Sequence, residues 1–524
     1  VDTGRRVDTG APSPEPGVVP AGETIGGQEW TCTITAYDGE EFGLQGSSTV
    51  EIQRGFGGWD AEIVNLGDSD YIMQGRAGGD FTGAGLANAG DVDGDGLGDM
   101  LIPAYFSDQG TQDAGLVYLV RAQDLGEPGT LELSEMPYQF TGWINSEEAG
   151  HSTASAGDID GDGLDDLLIC GYRNDDPVFD VGRVYVLRAS ELGSPRIRSL
   201  STAEITFIGE GIENRLGHAV ASAGDLDGDG WVDLLMGAYG NDESATDAGK
   251  TYVVPGISLD GFAGERTVGE QEYMFLGEGE DDASGHALRT AYDVDGDGLD
   301  DFVIGARRND TGARDGGKVY LILGSSLGSP GDVVSLTDAD YGFYGEVEEG
   351  WVGYQTTGVE DVDGDGLGDV LIGAHMSDEA AGRVYLIFGA SLDASLMSTE
   401  EADVRYTGQY AADQAGRSIS SGGDVDGDGL GDILVGARNH WDRVGTAYLI
   451  LGASVTAGIH ALEDSDYAFD GEERGDEAGY TTSTAGDVNG DGLDDILVGA
   501  WQGNHDLETS LPGKAYLLLA PEGD

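Results

Sequence analysis

Four kinds of short segment alternate along the chain, and each kind returns in the same order. A run of small residues, such as HSTASAG from His151 or HAVASAG from His218, leads into a nine-residue acidic motif. A short apolar run ending in Gly-Ala or a similar pair follows it, as in LLMGA from Leu234 and FVIGA from Phe302. After a polar loop comes a β-branched and aromatic run, GRVYVL from Gly182 or GKVYLI from Gly317, and then an alternating segment such as YQFTG from Tyr138 or YMFLG from Tyr273. Runs of this length, composition and alternation predict strands, here named A, B, C and D.

The acidic motif fixes the period. It begins at Asp91, Asp158, Asp225, Asp293, Asp361, Asp424 and Asp487, in steps of 63 to 68 residues. Four-stranded units of this length, repeated seven times, predict an all-β fold, a seven-bladed β-propeller with the small-residue strand A at the crowded axis. The ends of the array agree with a closed ring. The first D-type segment, YIMQG from Tyr71, precedes the first strand A, and the chain stops soon after the last strand C, AYLLL from Ala515. Tyr71 to Gly75 is therefore expected to complete blade seven, leaving no open edge.

Within each motif, carboxylates occupy positions 1, 3, 5 and 9, glycines allow the tight turn at 4 and 6, and the carbonyl of position 7 is available. That is the pattern of an oxygen cage for a hard cation. The candidate ligands are Asp91, Asp93, Asp95, Leu97 and Asp99; Asp158, Asp160, Asp162, Leu164 and Asp166; Asp225, Asp227, Asp229, Trp231 and Asp233. They continue with Asp293, Asp295, Asp297, Leu299 and Asp301; Asp361, Asp363, Asp365, Leu367 and Asp369. The last two sets are Asp424, Asp426, Asp428, Leu430 and Asp432; and Asp487, Asn489, Asp491, Leu493 and Asp495. Flexible oxygens in this number suit Ca²⁺ better than Mg²⁺, so up to seven Ca²⁺ are expected. An EF-hand would need Glu at position 12, which is Ile169 in the second copy.

The D-strand Phe with its Gly, the DxDxDGxxD loop and the Gly-Ala ending of strand B together resemble the FG-GAP repeat of integrin α-subunits and of many bacterial surface proteins. The resemblance spans residues 68–524. It implies calcium in the A to B loops on one face and ligand recognition on the opposite face. The chain departs from integrins in carrying the loop in all seven blades, in leaving no room for an inserted ligand-binding domain, and in lacking Pro after Gly-Ala. Upstream, residues 1–29 read as a Pro/Gly-rich linker, 30–53 as a hairpin resembling the remnant of an immunoglobulin-like domain, and 54–67 as a connector. Residues 1 to about 60 are expected to be poorly anchored.

Composition narrows the function. With 99 acidic against 25 basic side chains and a net charge of −74, nucleic acid is excluded as a partner. No apolar stretch is long enough to insert in a membrane. The chain begins at Val1 without a signal peptide and reads as a monomeric module of a longer chain. Cys32 and Cys170 lie in different contexts and need not pair. A secreted or cell-surface location follows from the calcium loops, because weak sites fill outside the cell.

Seven residues before each first aspartate stand Ala84, His151, His218, His286, Tyr354, Arg417 and Tyr480, at the mouth opposite the calcium loops. Trp143, Trp351, Trp441 and Trp501 fall in loops of the same face. Aromatic faces beside hydrogen-bonding groups suit a glycan or an extracellular protein ligand. The bland alternative is that the ring packs the mouth and the tryptophans fill gaps between blades. No HExxH, GxSxG or Walker loop is present, so no catalytic residues are assigned. The leading expectation is a calcium-binding adhesion or ligand-binding module, with a polysaccharide-active lyase or hydrolase, or a structural spacer, as alternatives.

Overall fold

The structure is a computed structural model that describes the strands at 29–37 and 42–51, and residues 58–59, 62–194, 196–269, 272–392, 394–501 and 512–521. Two compact units are present, Val1–Gly58 with Pro521–Asp524, and Trp59–Ala520. In the first, Glu29–Tyr37 pairs antiparallel with Phe42–Glu51. Residues 1–28 of the expected linker and residues 54–57, 60 and 61 of the expected connector lie outside the described residues.

The second unit is the propeller. Its strands form seven sheets, and each sheet has five strands. The expectation of four-stranded blades is thus corrected. Strands A to D follow in the expected order and are antiparallel neighbours, and a short outermost strand is added in parallel to D by the following repeat: Arg196–Ser199 lies beside Tyr138–Thr141 in blade one. The chain runs from this outer strand through a single 3-10 turn into strand D of the next blade, here Ile205–Ile208. Each such pair clips two adjacent blades together.

Ring closure follows the same rule. Tyr71–Gln74 pairs antiparallel with Lys514–Leu518, with Tyr71 opposite Leu517 and Gln74 opposite Lys514, and supplies strand D of blade seven. Ile63–Asn65 supplies the outer strand of blade six and Gly129–Glu132 that of blade seven.

Strands B and C are buried along their whole length, as in Asp166–Gly171 and Arg183–Leu187, because neighbouring blades cover both faces of each sheet. The apolar clusters accordingly lie between blades: Leu101, Val117 and Phe140 of blade one pack with Ile169, Tyr185 and Leu187 of blade two. A polar link crosses the same interface. Lys250, the first residue of a strand C, donates to Glu210, which follows strand D of the preceding blade, and Tyr252 donates to the same carboxylate at 2.9 Å. Lys318 with Glu278 and Lys514 with Glu472 repeat it at 2.8 and 2.5 Å, so every lysine of the chain is committed to a blade junction.

Met73 is fully buried and Tyr71 nearly so. Deleting residues 1–58, which keeps Trp59 against Tyr467 and Phe469 of blade six, is expected to leave the melting temperature of the propeller unchanged. Deleting 1–78 removes the outer strand of blade six, strand D of blade seven and the Met73 side chain, whose truncation alone costs about 2–5 kcal/mol. Equal melting temperatures for the two truncations would show that Tyr71–Gln74 does not close the ring.

Candidate functional site

Two sites sit at opposite ends of the innermost strands. At one end are the A to B loops. Asp158 accepts backbone N–H groups from Gly161 and Asp162 on Oδ1 and from Gly163 on Oδ2, at 2.7 to 3.0 Å, and Asp162 accepts the Leu164 N–H at 3.0 Å. The glycines at positions 4 and 6 take positive φ, 72° at Gly161 and 88° at Gly163. The loop is thereby held shut by its own carboxylates.

Position 9 has a role that the sequence pattern alone did not disclose. Asp166 is fully buried, accepts the Ile159 N–H within its loop, and accepts the Ala189 N–H at 2.7 Å from the turn after strand C. The same two bonds recur in all seven copies, from Asp99 with Val92 and Ala122 to Asp495 with Val488 and Ala520. Burial pushes the Asp166 carboxyl up to about 7, with Asp160 and Asp162 adding repulsion against the pull of the two donors.

The donor set fits a cation. Carboxylate oxygens of Asp91, Asp93 and Asp99 lie within 4.8 Å of one another, as do those of Asp158, Asp160 and Asp166, and of the first three aspartates in the copies from Asp225, Asp293 and Asp361. Oδ1 of Asp93 and Oδ1 of Asp160 are buried with no hydrogen-bond partner, which is costly unless a positive charge answers them. Blades one and two differ from the rest: Arg121 and Arg188 each place a guanidinium 3.2 Å from the position-3 aspartate, Asp93 and Asp160.

Neighbouring loops also touch. The Asp165 N–H donates to the Asp91 carbonyl at 3.0 Å, and Gly98 donates to Asp487 at 2.8 Å across the closure. Asp165 Oδ2 accepts the Asp91 N–H at 2.8 Å, and a Cβ at Gly90 would lie 2.1 Å from that oxygen. Two copies break this glycine rule. Tyr292 and Glu360 occupy the equivalent position, Tyr292 with φ of 59°. The Tyr292 hydroxyl donates to Glu360 Oε1 at 2.6 Å and Ser421 to Oε2 at 2.5 Å, joining blades four, five and six.

At the other end is a cavity of about 150 Å³. Its lining brings together Ala84, His151, His218, His286, Tyr354, Arg417 and Tyr480, one residue from each blade. A second circle surrounds the first and was not foreseen. It consists of the residue after the end of each strand B, Gly-Ala in five blades, Pro-Ala in blade one and Cys-Gly in blade two: Tyr105, Tyr172, Tyr239, Arg307, His375, Arg438 and Trp501. The signal was present in the sequence as an aromatic or basic residue following the same dipeptide-like ending.

The two circles interleave. His151 packs on Tyr105, Tyr172 and His218 at 5.4, 4.4 and 4.7 Å, and His218 on Tyr239 and His286 at 4.6 and 4.4 Å. His286 meets Tyr354 at 5.0 Å and Tyr354 meets His375 at 4.4 Å. The Arg417 guanidinium lies between Tyr354 and Tyr480, 5.4 and 4.1 Å from their centroids, and donates to the Tyr480 hydroxyl at 2.9 Å. Where blade one offers only Ala84, Phe81 fills the place, 4.5 Å from Trp501 and 6.1 Å from Tyr105.

The imidazoles are neutral. Burial, with Arg417 nearby, brings His151 down to about 4, and burial holds His218 and His286 well below the usual value. His218 Nδ1 faces the His286 carbonyl at 3.1 Å, which places its proton on Nδ1.

The four tryptophans divide. Trp351 stacks on Tyr354 at 6.2 Å and Trp501 on Tyr480 at 4.8 Å, both as buttresses of the ring. Trp143 is instead part of the packing between blades one and two, donating to the Tyr185 hydroxyl at 2.8 Å. Trp441 is 54% exposed and lines a separate shallow depression with Tyr410. Cys170 is buried, and burial raises its thiol to about 12, which makes it an inert core residue.

Comparison with known proteins finds the FG-GAP repeat family at residues 149–187, 216–254, 284–322, 352–387, 415–449 and 478–516. Integrin alpha-PS2 of Drosophila melanogaster is 34% identical over 179 residues, covering 33% of this chain and 12% of that protein. Integrin alpha pat-2 of Caenorhabditis elegans is 30% identical over 243 residues, 43% of this chain and 18% of that one. Phosphatidylinositol-glycan-specific phospholipase D of Mus musculus is 26% identical over 407 residues, 72% of this chain and 45% of that one. The chain therefore spans less than half the length of these relatives.

Position 9 can be separated from the other carboxylates by experiment. In EDTA, Asp166→Ala is expected to destabilise the protein by about 2–4 kcal/mol, because two buried N–H donors lose a charged acceptor. Asp162→Ala in EDTA is expected to change melting by less than about 1 kcal/mol, since its single local bond is exposed. Equal losses would assign Asp166 no structural role of its own.

Proposed function

The chain is a seven-bladed β-propeller of FG-GAP repeats, and we propose that it is a calcium-binding, extracellular ligand-binding module whose ligand, a glycan or a protein, docks at the channel mouth. The carrying observation is the convergence of one side chain from each of seven blades on a single cavity at the end of the innermost strands remote from the aspartate loops. Folding alone has no need of aromatic and basic groups there, where small residues would close the axis. The integrin relatives support a cell-surface setting.

In this reading the carboxylates at positions 1, 3, 5 and 9 and the carbonyl of position 7 hold Ca²⁺ in each blade. The ion supplies the positive charge that Asp93 Oδ1 and Asp160 Oδ1 lack. Arg121 and Arg188 already answer part of that charge in blades one and two, and Asn489 removes one carboxylate in blade seven, so these three sites are the weakest.

A second reading, that the propeller serves a hydrolase, is favoured by the phospholipase D relatives, which align over 72% of the chain. Product release from phosphatidylinositol-glycan or polysaccharide substrates by this chain would favour it.

EDTA is expected to lower the melting temperature and Ca²⁺ to restore it, each site at 100 times its dissociation constant contributing about 2.7 kcal/mol. Arg121→Gln should tighten one of the weak sites in a calcium titration. An unchanged midpoint in EDTA would remove calcium from the account. On a glycan and matrix-protein array, the wild type should bind and both Trp351→Ala and Tyr354→Ala should bind weakly. Binding that survives both changes would move the ligand elsewhere.

A further inference from the structure

The chain carries about four acids for every base, yet three arginines around one cavity have no carboxylate within ion-pair distance. Arg417 and Arg289 line the channel mouth and Arg307 stands in the circle behind it. Arg417 makes its hydrogen bond to a tyrosine. Arg289 donates only to the backbone carbonyls of Val220 and Leu288, at 3.3 and 2.9 Å. Arg307 lies over the rings of Trp351 and Tyr354, and its buried Nε has no partner. Elsewhere nearly every described basic side chain is paired, including each lysine. No carboxylate lines the cavity.

A guanidinium has five donors, and leaving most of them unanswered in a partly enclosed space is unfavourable until an anion arrives. Burial lowers the pKa of Arg289 and Arg307 but leaves both charged. The remote surface carboxylates do not cancel this local field, because at physiological ionic strength their influence decays over about 8 Å. Toward its far end the channel carries carboxylates instead: Glu360 accepts from the Tyr292 hydroxyl at 2.6 Å, and the charges of Asp300 and Asp494 act on the same phenol.

The remaining lining sets the shape of the anion. Ser152, Thr153, Gln355, Ser418, Thr481 and Thr482 contribute hydroxyl and amide groups; Thr153 and Thr481 donate to the Gly85 and Gly83 carbonyls, so their oxygens meet a ligand as acceptors. The neutral imidazoles of His151, His218 and His286 are surrounded by tyrosine rings. Guanidinium for a carboxylate, imidazole and hydroxyl for several hydroxyls, and tyrosine ring faces for a C–H face together describe a sugar acid better than an acidic peptide side chain, which would use the arginines and leave the other groups idle.

Resting on the reading of the mouth as a ligand site, we propose that it is a receptor for a sugar acid, free or at the end of a chain, whose carboxylate is held by Arg417 and Arg289. The wild-type protein in calcium would be titrated calorimetrically with glucuronate, with an oligouronide, with glucose and with an oligoglutamate peptide. Glucuronate or the oligouronide should bind, the stronger of the two marking the free or the chain-borne source, and glucose should bind at least tenfold more weakly. Arg417→Gln and Arg289→Gln should each weaken binding tenfold or more. Because either variant can disturb the ring, competition by sodium acetate on the wild type is a second measurement, and it should reduce glucuronate binding more than equimolar sodium chloride does. Equal affinity for glucose and glucuronate, preference for oligoglutamate, or no binding of any acid would overturn the proposal. Array binding of a neutral glycan or a protein at the same mouth would overturn it too while leaving the broader reading standing.

Discussion

Both faces of every blade are apolar, and that single constraint organises the molecule. Strands B and C such as Asp166–Gly171 and Arg183–Leu187 are buried from end to end only because a neighbour stands on each side. A blade by itself would expose two greasy surfaces, and an open arc of blades would expose two more at its ends. The pairing of Tyr71–Gln74 with Lys514–Leu518 therefore matters beyond its few hydrogen bonds, since it brings the last interface into existence. The outer strands extend the same logic, each one tethering the blade it leaves to the blade it joins.

The ring gives the innermost strands two ends of opposite character. At one end the aspartate loops are stitched to each other by backbone bonds and to strand C by the position-9 carboxylates. At the other, arginines and neutral histidines alternate with aromatic rings. The acidic chain thus contains an axis along which charge changes sign, with Glu360 and Tyr292 toward the loops and Arg289 and Arg417 toward the cavity.

Much of this was legible from spacing. Seven copies of the acidic motif state the number of blades, and counting back seven residues from each first aspartate finds the inner circle, because a strand of fixed length joins the two. The fifth strand was not legible: segments such as Gly129–Glu132 and Ile63–Asn65 are short, largely exposed and without apolar alternation, so nothing marks them apart from loop. The outer circle was visible at Tyr105, Tyr172 and Tyr239 but only gains meaning once strand B is known to end beside the start of strand A. Trp143 and Trp441 share loops with the ring yet serve other neighbours, a distinction that depends on side-chain direction and not on position in the repeat.

The lysines at the blade junctions carry one more consequence. Lys250 and Lys318 are almost wholly enclosed, and the ammonium of Lys514 is held by Glu472. The outer wall of the propeller therefore presents no free side-chain amine. Acylating reagents and enzymes that join chains through lysine find little to react with there, whereas the same wall is rich in carboxylates that a coupling reagent can reach.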